Sequence, residues 1–517
     1  MLEARTTGMV GIRKRFAVNV AMNWVATAVN MVVPFFLTPF VVRHLGSLQY
    51  GIWILAVSIV SYLALLDLGL RSAVIRFVSK AEGAGRSEDA AAVIHGAFWF
   101  RVLAGILVAF LAMVLSLLAP HLFKIPPDLM LAARVTVLLC GIGVSVTLIS
   151  GVFGALLAAI HRFDLLSSVT MAQTLARACG VLLILRSGRG LISMAFWELA
   201  VITAAGILTC IIALRKFPSA RPRLARPDAT VLRSLWSYSL TTFVFMIAVQ
   251  IVINTDSLVI GAFLSLSMVT FYSIGSSLVS YATQVAGAVS MTFTPIASNL
   301  EASGRSDELK GMLLRGTQAM LGLVLPIAIA LIFRGRTFIS IWMGPQYGLV
   351  SERVLQILMI SLFFSMADGT AGSIMMAIDK HKAVARWSVY EAILNLALSI
   401  VLAKTIGLYG VAWGTSISMA LTHLAFWPRY IRNTLHVPVR TYLWQGWGRI
   451  VLASVPFAIV SLVADHYWQP RSLVLFFAQI LATLPFYVLG VAIFFGPECK
   501  SALSQIASRW ARRSVAA

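Results

Sequence analysis

The chain alternates between long apolar runs and short polar, basic segments over almost its whole length. Many runs approach the roughly 20 residues that a helix needs to cross a bilayer. The pattern predicts an all-α polytopic membrane protein with 14 transmembrane helices, and it excludes a transmembrane barrel, whose strands are short and alternating. The predicted helices are residues 16–42, 49–70, 95–119, 130–160, 165–187, 190–214, 236–262, 268–297, 316–333, 350–378, 383–403, 409–427, 447–466 and 472–496.

Composition narrows the class further. Of the 517 residues, 59% are hydrophobic and 12% are charged, and the mean hydropathy is +0.89. A soluble chain carries about a quarter charged residues, so a soluble enzyme, a disordered chain and a small secreted domain are excluded. The four cysteines form no CxxC pair, and we expect no disulfide, metal or cofactor.

The basic residues indicate the orientation of the chain. The net charge of +22 would suggest nucleic-acid binding in a soluble protein. Of the 41 Lys and Arg residues, however, 29 fall on one side of the predicted topology, 9 fall on the other and 3 lie within helices. Cytoplasmic loops are enriched in Lys and Arg, so we expect both termini in the cytoplasm and no nucleic-acid partner.

The two halves of the chain resemble each other. Residues 82–89 match residues 301–308 at an offset of 219, and residues 154–162 match residues 372–380 at an offset of 218. Because all four segments fall on the predicted cytoplasmic side, we predict two six-helix lobes in parallel repeat, plus two extra C-terminal helices. The predicted divisions are a first lobe at 1–214, a basic cytoplasmic linker at 215–235, a second lobe at 236–428, and helices 13–14 with a cytoplasmic tail at 429–517.

Two motifs carry a family resemblance. The run from Thr38 to Gly51 contains Arg43-His-Leu-Gly46 and Tyr50-Gly51, and Asp67-Leu-Gly69 follows it. These residues resemble the polysaccharide flippases of the multidrug/oligosaccharidyl-lipid/polysaccharide exporter superfamily. Asn395 and the segment from Gly407 to Gly410 are also similar to that family, and the resemblance extends over residues 12 to about 427.

The resemblance implies a two-lobed bundle whose central cavity lies between the first, second, seventh and eighth helices. The implied substrate is an undecaprenyl-pyrophosphate-linked oligosaccharide repeat unit, moved from the cytoplasmic to the periplasmic leaflet of a bacterial inner membrane by alternating access. The implied products are O-antigen, capsule or exopolysaccharide. The implied partners are this polyprenyl-linked oligosaccharide, membrane lipids, and the polysaccharide polymerase with its chain-length machinery.

Polar stripes along three of these helices predict the residues that line the cavity. A sugar needs hydrogen-bonding groups, and polar side chains are costly in hydrocarbon unless they face a wet cavity or a partner. An alternative remains open, in which the same residues hold neighbouring helices together. The candidates, which share one face within each helix at spacings of three, four or seven residues, are Asn19, Asn23, Thr27, Asn30, Gln250, Asn254, Ser277 and Gln284.

Arginines are the candidates for binding the pyrophosphate, because the guanidinium matches phosphate oxygens. Arg177 lies mid-helix and aligns with Asn395 at an offset of 218. It binds an anion or, alternatively, neutralises Glu391 or another buried acid. The other candidates are Arg43, Arg71 and Arg134.

The buried acids suggest how transport is driven. Asp256 and Glu391 are the candidates for coupling to protons or sodium, since an ion biases only a state that it binds differently. Asp67 is expected to pair with Arg71 or Arg76, and Arg101 is expected near the cytoplasmic surface.

No enzyme motif is present, and the histidines are scattered without a metal-binding spacing. We therefore predict a transporter and not an enzyme. Two alternatives remain: a cation-coupled drug or metabolite antiporter on the same fold, and a membrane scaffold for polysaccharide assembly.

Overall fold

The computed structural model describes residues 2–221, 229–290 and 292–515, with side chains described from Asn19 to Gly496 except at positions 20, 222–242, 244–245, 291 and 381. All regular elements in these ranges are helices, which confirms the all-α class. The chain forms two compact units, Met1–Thr270 and Phe271–Ala517. The predicted linker, residues 215–235, falls partly outside the described residues, and the predicted lobe boundaries stay predictions.

Unit 1 contains seven helices and the beginning of an eighth, which ends in unit 2. They are α1 (Leu2–Leu63), α2 (Leu70–Gly83), α3 (Ser87–Leu122), α4 (Met130–Ala159), α5 (Phe163–Arg186), α6 (Leu191–Lys216), α7 (Ala229–Phe263) and α8 (Leu266–Ser290).

The first two predicted helices meet at a kink inside α1. Gly46 has φ 73° and ψ 168°, a conformation outside the helical region. Only glycine adopts such a backbone without a Cβ penalty. The predicted connection of several residues is therefore a single-residue break, and the helical course resumes at once.

A second break follows the end of α1. Residues Ala64–Asp67 form a 3-10 turn, and Leu68 and Gly69 both have left-handed φ values of 51° and 75°. The chain then enters α2 at Leu70. The Asp67-Leu-Gly69 motif thus marks a corner in the second predicted helix, with its carboxylate at the corner.

Small side chains allow the helices of unit 1 to pack closely. The core between α2, α3 and α4 includes Ala73, Ala97 and Ala155, all fully buried. On another face, Gly51 approaches the start of α8 so closely that a Cβ there would lie 2.1 Å from the carbonyl oxygen of Leu266. Close backbone approach at small residues is the usual basis of helix association in membranes.

Unit 2 continues with α9 (Phe293–Ala302), α10 (Ser306–Trp342), α11 (Pro345–Ala367), α12 (Gly369–Ala377), α13 (His381–Ile406), α14 (Leu408–Leu435), α15 (Val439–Thr441), a π-helical segment (Tyr442–Gly448), α16 (Arg449–Ala453), α17 (Val455–Tyr467) and α18 (Leu473–Val515). The predicted tenth helix is divided at Asp368 into α11 and α12, and the predicted eighth helix is divided into α8 and α9.

The last helix, α18, is attached to α10 through a buried arginine. Arg334 is fully buried, donates to Oε1 of Gln479, and has its guanidinium carbon 4.9 Å from the centre of the Phe476 ring. Its Nε and Nη1 atoms lack a hydrogen-bond partner. At an offset of 218 the first half has Ser116, so this attachment is particular to the second half.

Backbone geometry reproduces the internal repeat. Left-handed φ values occur at Gly85 and Gly304, and at Gly188 and Gly407, two pairs with an offset of 219. His161 and Asp379, which are not glycines, form a third pair at an offset of 218. The corners between helices therefore recur at the spacing that the sequence match predicts.

Eleven described helical segments are long and apolar enough to cross a membrane. One of them, Ala21–Gly83, contains the kink at Gly46 and combines two predicted helices, while α8 and α14 are not among the eleven. The protein is a multi-pass membrane protein, and the count of fourteen stays a prediction.

Candidate functional site

A buried cluster of ionisable side chains lies at the break between α11 and α12. Asp368 is 2% exposed. Its Oδ2 lies 2.8 Å from Nδ1 of His423 on α14, and Nε2 of the same imidazole lies 3.7 Å from Oε2 of Glu391 on α13. The hydroxyl of Tyr442 lies 2.6 Å from Oδ1 of Asp368 and 3.1 Å from the carbonyl oxygen of Ala367.

Local backbone structure positions two members of this cluster. Asp368 is the residue that ends α11, with φ −101° and ψ 0°, and it lies at the break before α12. Tyr442, which is fully buried, opens the π-helical segment, and π-helical turns occur frequently at functional sites. Glu391 was a predicted coupling residue, whereas Asp368, His423 and Tyr442 were not proposed for this role, because no spacing in the sequence links them.

Within the polar stripe of the first predicted helix, some residues form contacts between helices and one is exposed. Asn19 Nδ2 donates to the carbonyl oxygen of His161, and Asn19 Oδ1 accepts from the amide of Asp164, so Asn19 caps the start of α5. Asn30 accepts a hydrogen bond from the Thr174 hydroxyl on α5. These two residues make the packing contacts that the alternative interpretation expects.

Thr27 and Asn23 lie between these contacts. The Thr27 hydroxyl donates to the carbonyl oxygen of Asn23 at 2.9 Å, and the Asn23 side chain is exposed. Because its side chain is exposed, Asn23 is the member of this stripe that is best placed to meet a ligand.

At the start of α5, next to the contact with Asn19, hydrogen bonds to Asp164 raise the pKa of the Arg162 guanidinium above its usual value.

The predicted stripe on α7 also contacts its neighbours. Gln250 Nε2 donates to the Ser61 hydroxyl, and Tyr62 and Thr255 share a hydrogen bond. Asp256 is buried and Asn254 is half-buried. Gln250 thus joins α7 to the second half of α1.

On α8, two predicted cavity residues differ in exposure. The Ser277 hydroxyl donates to the carbonyl oxygen of Ser273 at 2.6 Å, which returns its hydrogen bond to its own helix. Gln284 is exposed. The lining role of both residues stays a prediction.

Arg177 forms a two-pronged ion pair with Glu198 of α6. Its Nε lies 2.7 Å from Oε2, and its Nη2 lies 2.6 Å from Oε1. This acid is one of those that the pairing alternative allowed. At an offset of 218, Arg177 aligns with Asn395, which donates to the Thr415 hydroxyl at 2.9 Å, so both halves join these helices by a polar pair.

The remaining anion candidates are less enclosed. Arg43 and Arg71 are exposed, and neither side chain forms an ion pair with another described residue. Next to Arg43, the His44 ring packs on Phe40 with 4.0 Å between ring centres. Arg134 is half-buried, with a buried Nε that lacks a hydrogen-bond partner.

A buried ion pair in unit 1 departs from the sequence prediction. Arg101 is buried, contacts Asp67 through Nη2 and donates through Nη1 to the carbonyl oxygen of Leu148 at 3.0 Å. The expected partner of Asp67 was Arg71 or Arg76, and Arg101 takes that place. The corner at Leu68 and Gly69 turns the carboxylate toward α3, a direction that helical periodicity does not reveal.

Comparisons with known proteins complete the description of the site. The chain is similar to the "Uncharacterized membrane protein EpsK" of Bacillus subtilis, with 24% identity over 81% of this chain and 83% of that protein. It is similar to the "Putative O-antigen transporter" of Shigella flexneri, with 23% identity over 76% of this chain and 92% of that protein.

Among solved structures, the chain shares its fold with "Lipid II flippase MurJ, inward closed conformation". The TM-score is 0.73 at 16% identity, and the match covers 93% of this chain and all of that structure. The family model described as "Polysaccharide biosynthesis protein" matches residues 16–301, more than half of the chain. The chain therefore belongs to this family of polysaccharide biosynthesis proteins.

Proposed function

We propose that the protein is a flippase for undecaprenyl-pyrophosphate-linked oligosaccharide repeat units. It moves them from the cytoplasmic to the periplasmic leaflet by alternating access, for O-antigen, capsule or exopolysaccharide synthesis. The observation that carries the proposal is the family match over residues 16–301. The shared fold with a lipid II flippase and the relative named as an O-antigen transporter add support.

The polar residues that remain accessible are the proposed contacts for the sugar. Asn23 and Gln284 are exposed and Asn254 is half-buried, so their amides are available to hydroxyl groups. Asn19, Asn30 and Gln250, in contrast, use their side-chain amides in contacts between helices. We therefore assign sugar recognition first to the accessible set.

Exposed arginines are the proposed contacts for the pyrophosphate. Arg43 and Arg71 present guanidinium groups at the surface of unit 1, and such groups bind phosphate oxygens through two parallel hydrogen bonds. Arg177 is already paired with Glu198, so it binds the pyrophosphate only if that pair opens. Arg134 stays a candidate because its Nε lacks a partner.

Coupling to an ion is proposed at Asp256 and Glu391. Both carboxylates are largely or fully buried, and burial makes the charged state costly unless a partner compensates it. An ion that neutralises such a carboxylate in one conformation and leaves it in another supplies the difference in binding that drives a transport cycle.

A strain that lacks every other repeat-unit flippase tests the proposed function. Without the protein, lipid-linked repeat units should remain on the cytoplasmic face, and the wild-type chain should restore their exposure to an enzyme added on the periplasmic side. Unchanged exposure in the deletion would refute the proposal. Restored drug efflux without an effect on polysaccharide would favour an antiporter instead.

Two asparagine variants separate recognition from packing in the same strain. Asn23→Ala should lower repeat-unit export while the amount of folded protein stays at the wild-type level, because Asn23 is exposed. Asn30→Ala, which removes the contact with Thr174, should instead lower the amount of folded protein. Normal export by Asn23→Ala would remove that residue from the proposed sugar contacts.

A further inference from the structure

The two extra C-terminal helical segments, Val439–Tyr467 and Leu473–Gly496, are called the added helices below. They contact the interior of unit 2 through two tyrosines. Tyr442, at the start of the π-helical segment, contacts Asp368 and the carbonyl oxygen of Ala367. Tyr487 on α18 donates to the carbonyl oxygen of Gly322 on α10 at 2.8 Å. Both hydroxyls attach added helices to the rest of the unit, but only Tyr442 meets an ionisable group.

The ionisable groups around Asp368 come from three separate elements. They are His423 from α14, Glu391 from α13 and Tyr442 from the π-helical segment. The groups that act on His423 are the two carboxylates. The Tyr442 ring itself packs edge-on against the uncharged ring of Trp447, with 5.8 Å between ring centres.

The geometry of the imidazole favours a proton over a metal cation at this place. Asp368 lies against Nδ1 and Glu391 lies nearest Nε2, so the ring stands between the two carboxylates. Sodium and other hard cations require several oxygen ligands that converge on one point. Within the described part of the chain, no group of three His, Cys, Asp or Glu side chains is arranged to hold a metal ion.

We propose that Asp368, His423, Glu391 and Tyr442 form a single proton-binding site, and that Tyr442 makes the two added helices part of it. This inference rests on the proposed function for the process that the proton drives. It assigns a role to helices whose contribution the repeat does not explain, because they have no counterpart in the first half.

Charge balance describes how the site works. With both carboxylates ionised and the imidazole protonated, the cluster carries a net charge of −1. One further proton, bound at the carboxylate of Asp368 or Glu391, brings that charge to zero. A buried net charge is costly, so the neutral cluster is free to persist in a conformation that closes it off from water, while the charged cluster favours one that opens it.

Tyr442 positions the central carboxylate. A phenol donor within 2.6 Å of Oδ1 stabilises the ionised form of Asp368. Movement of the π-helical segment away from α11 withdraws that donor, and the carboxylate then takes up a proton more readily. The position of the added helices and the protonation of the cluster are thus linked, and each biases the other.

Two tyrosine-to-phenylalanine variants test the linkage. Tyr442→Phe should move the midpoint of the transport rate against pH upward by about one pH unit, the size expected for loss of a hydrogen bond to a charged group. Tyr487→Phe, the matched control, removes a hydrogen bond that also attaches added helices but faces no acid, and it should leave the midpoint in place. Equal midpoints in Tyr442→Phe and wild type would overturn the proposal.

A combined variant keeps the test decisive if folding suffers. In an Asp368→Asn background, Tyr442→Phe should cause no further shift of the midpoint, because the carboxylate that it influences is gone. Additive shifts in the double variant would show that Tyr442 acts elsewhere, since residues that do not interact change a property independently.

A measurement without transport separates this inference from the proposed function. Infrared difference spectra of the purified chain in lipid nanodiscs, recorded across a pH titration, should show a protonated carboxyl band that is lost in Glu391→Gln or Asp368→Asn. Its presence in a chain that does not flip lipid would retain the site and refute the flippase. A band unaffected by both substitutions, or one abolished by sodium at constant pH, would overturn the proton site.

Discussion

Replacing Asp67 with asparagine is expected to destabilise unit 1 more than replacing Arg101 with glutamine, although both changes break the same ion pair. The two partners differ in exposure: the side chain is 3% exposed at Arg101 and 18% exposed at Asp67. Removal of Asp67 therefore leaves a buried cation without an anion, whereas removal of Arg101 leaves a carboxylate that partly reaches the surface.

The magnitudes follow from that asymmetry. Breaking a buried ion pair by removing one partner costs about 3–5 kcal/mol, and this range applies to Asp67→Asn. The cost of Arg101→Gln should be about 1–3 kcal/mol, the penalty for an unsatisfied polar group, because surface contact relieves the remaining carboxylate. The double variant should be more stable than the sum of the two losses implies, since neither charge is left alone.

Unfolding by SDS in mixed micelles, followed by tryptophan fluorescence, measures these free energies. The control is Asp89→Asn, which breaks the Arg86–Asp89 pair, whose side chains are 61% and 56% exposed. Exposed pairs contribute about 0–1 kcal/mol. A larger loss for Arg101→Gln than for Asp67→Asn, or strict additivity in the double variant, would refute the argument from burial.

Two further predictions concern helix packing. Gly51→Ala should lower the free energy of unfolding by about 1–3 kcal/mol, because its Cβ would lie 2.1 Å from the Leu266 carbonyl oxygen. In the same SDS titration, the control Gly287→Ala, whose Cβ meets open space, should be neutral or stabilising. A neutral Gly51→Ala would contradict the close approach. Gln479→Leu should lower the thermal midpoint of the purified protein, because it leaves the Arg334 guanidinium with fewer partners. Adding Arg334→Met should recover most of the lost stability, and no recovery would mean that Arg334 is not the cause of the loss.

Long apolar runs predicted the helical class, because every residue of a run contributes to that signal, and two matched pairs of segments predicted the repeat. The sequence predicted less well where one residue changes the direction of the chain. The corner at Leu68 and Gly69 turns Asp67 toward Arg101, and the break at Asp368 divides a helix that is apolar on both sides of it.

The ionisable cluster shows that prediction of functional residues from sequence has the same limit. Its members come from four elements and are separated by 55 residues between Asp368 and His423 and by 74 residues between Asp368 and Tyr442. No local motif links such positions, so Glu391 was identified as a buried acid without its neighbours. Likewise, the stripe of Asn19 to Asn30 indicated one polar face correctly but did not separate its contacts with α5 from its exposed part.

The paired left-handed corners have a consequence for how such a chain diverges. A lipid-facing surface tolerates almost any apolar residue, so two repeated halves soon lose their sequence similarity along the helices. A reversal of the backbone at a fixed angle tolerates few substitutions, and Gly85 with Gly304, Gly188 with Gly407, and His161 with Asp379 keep that angle. The similarity of the two halves is thus better preserved at the corners between helices than along the helices. Relatives too distant for pairwise alignment should be easier to identify by the spacing of these corners than by the composition of the helices.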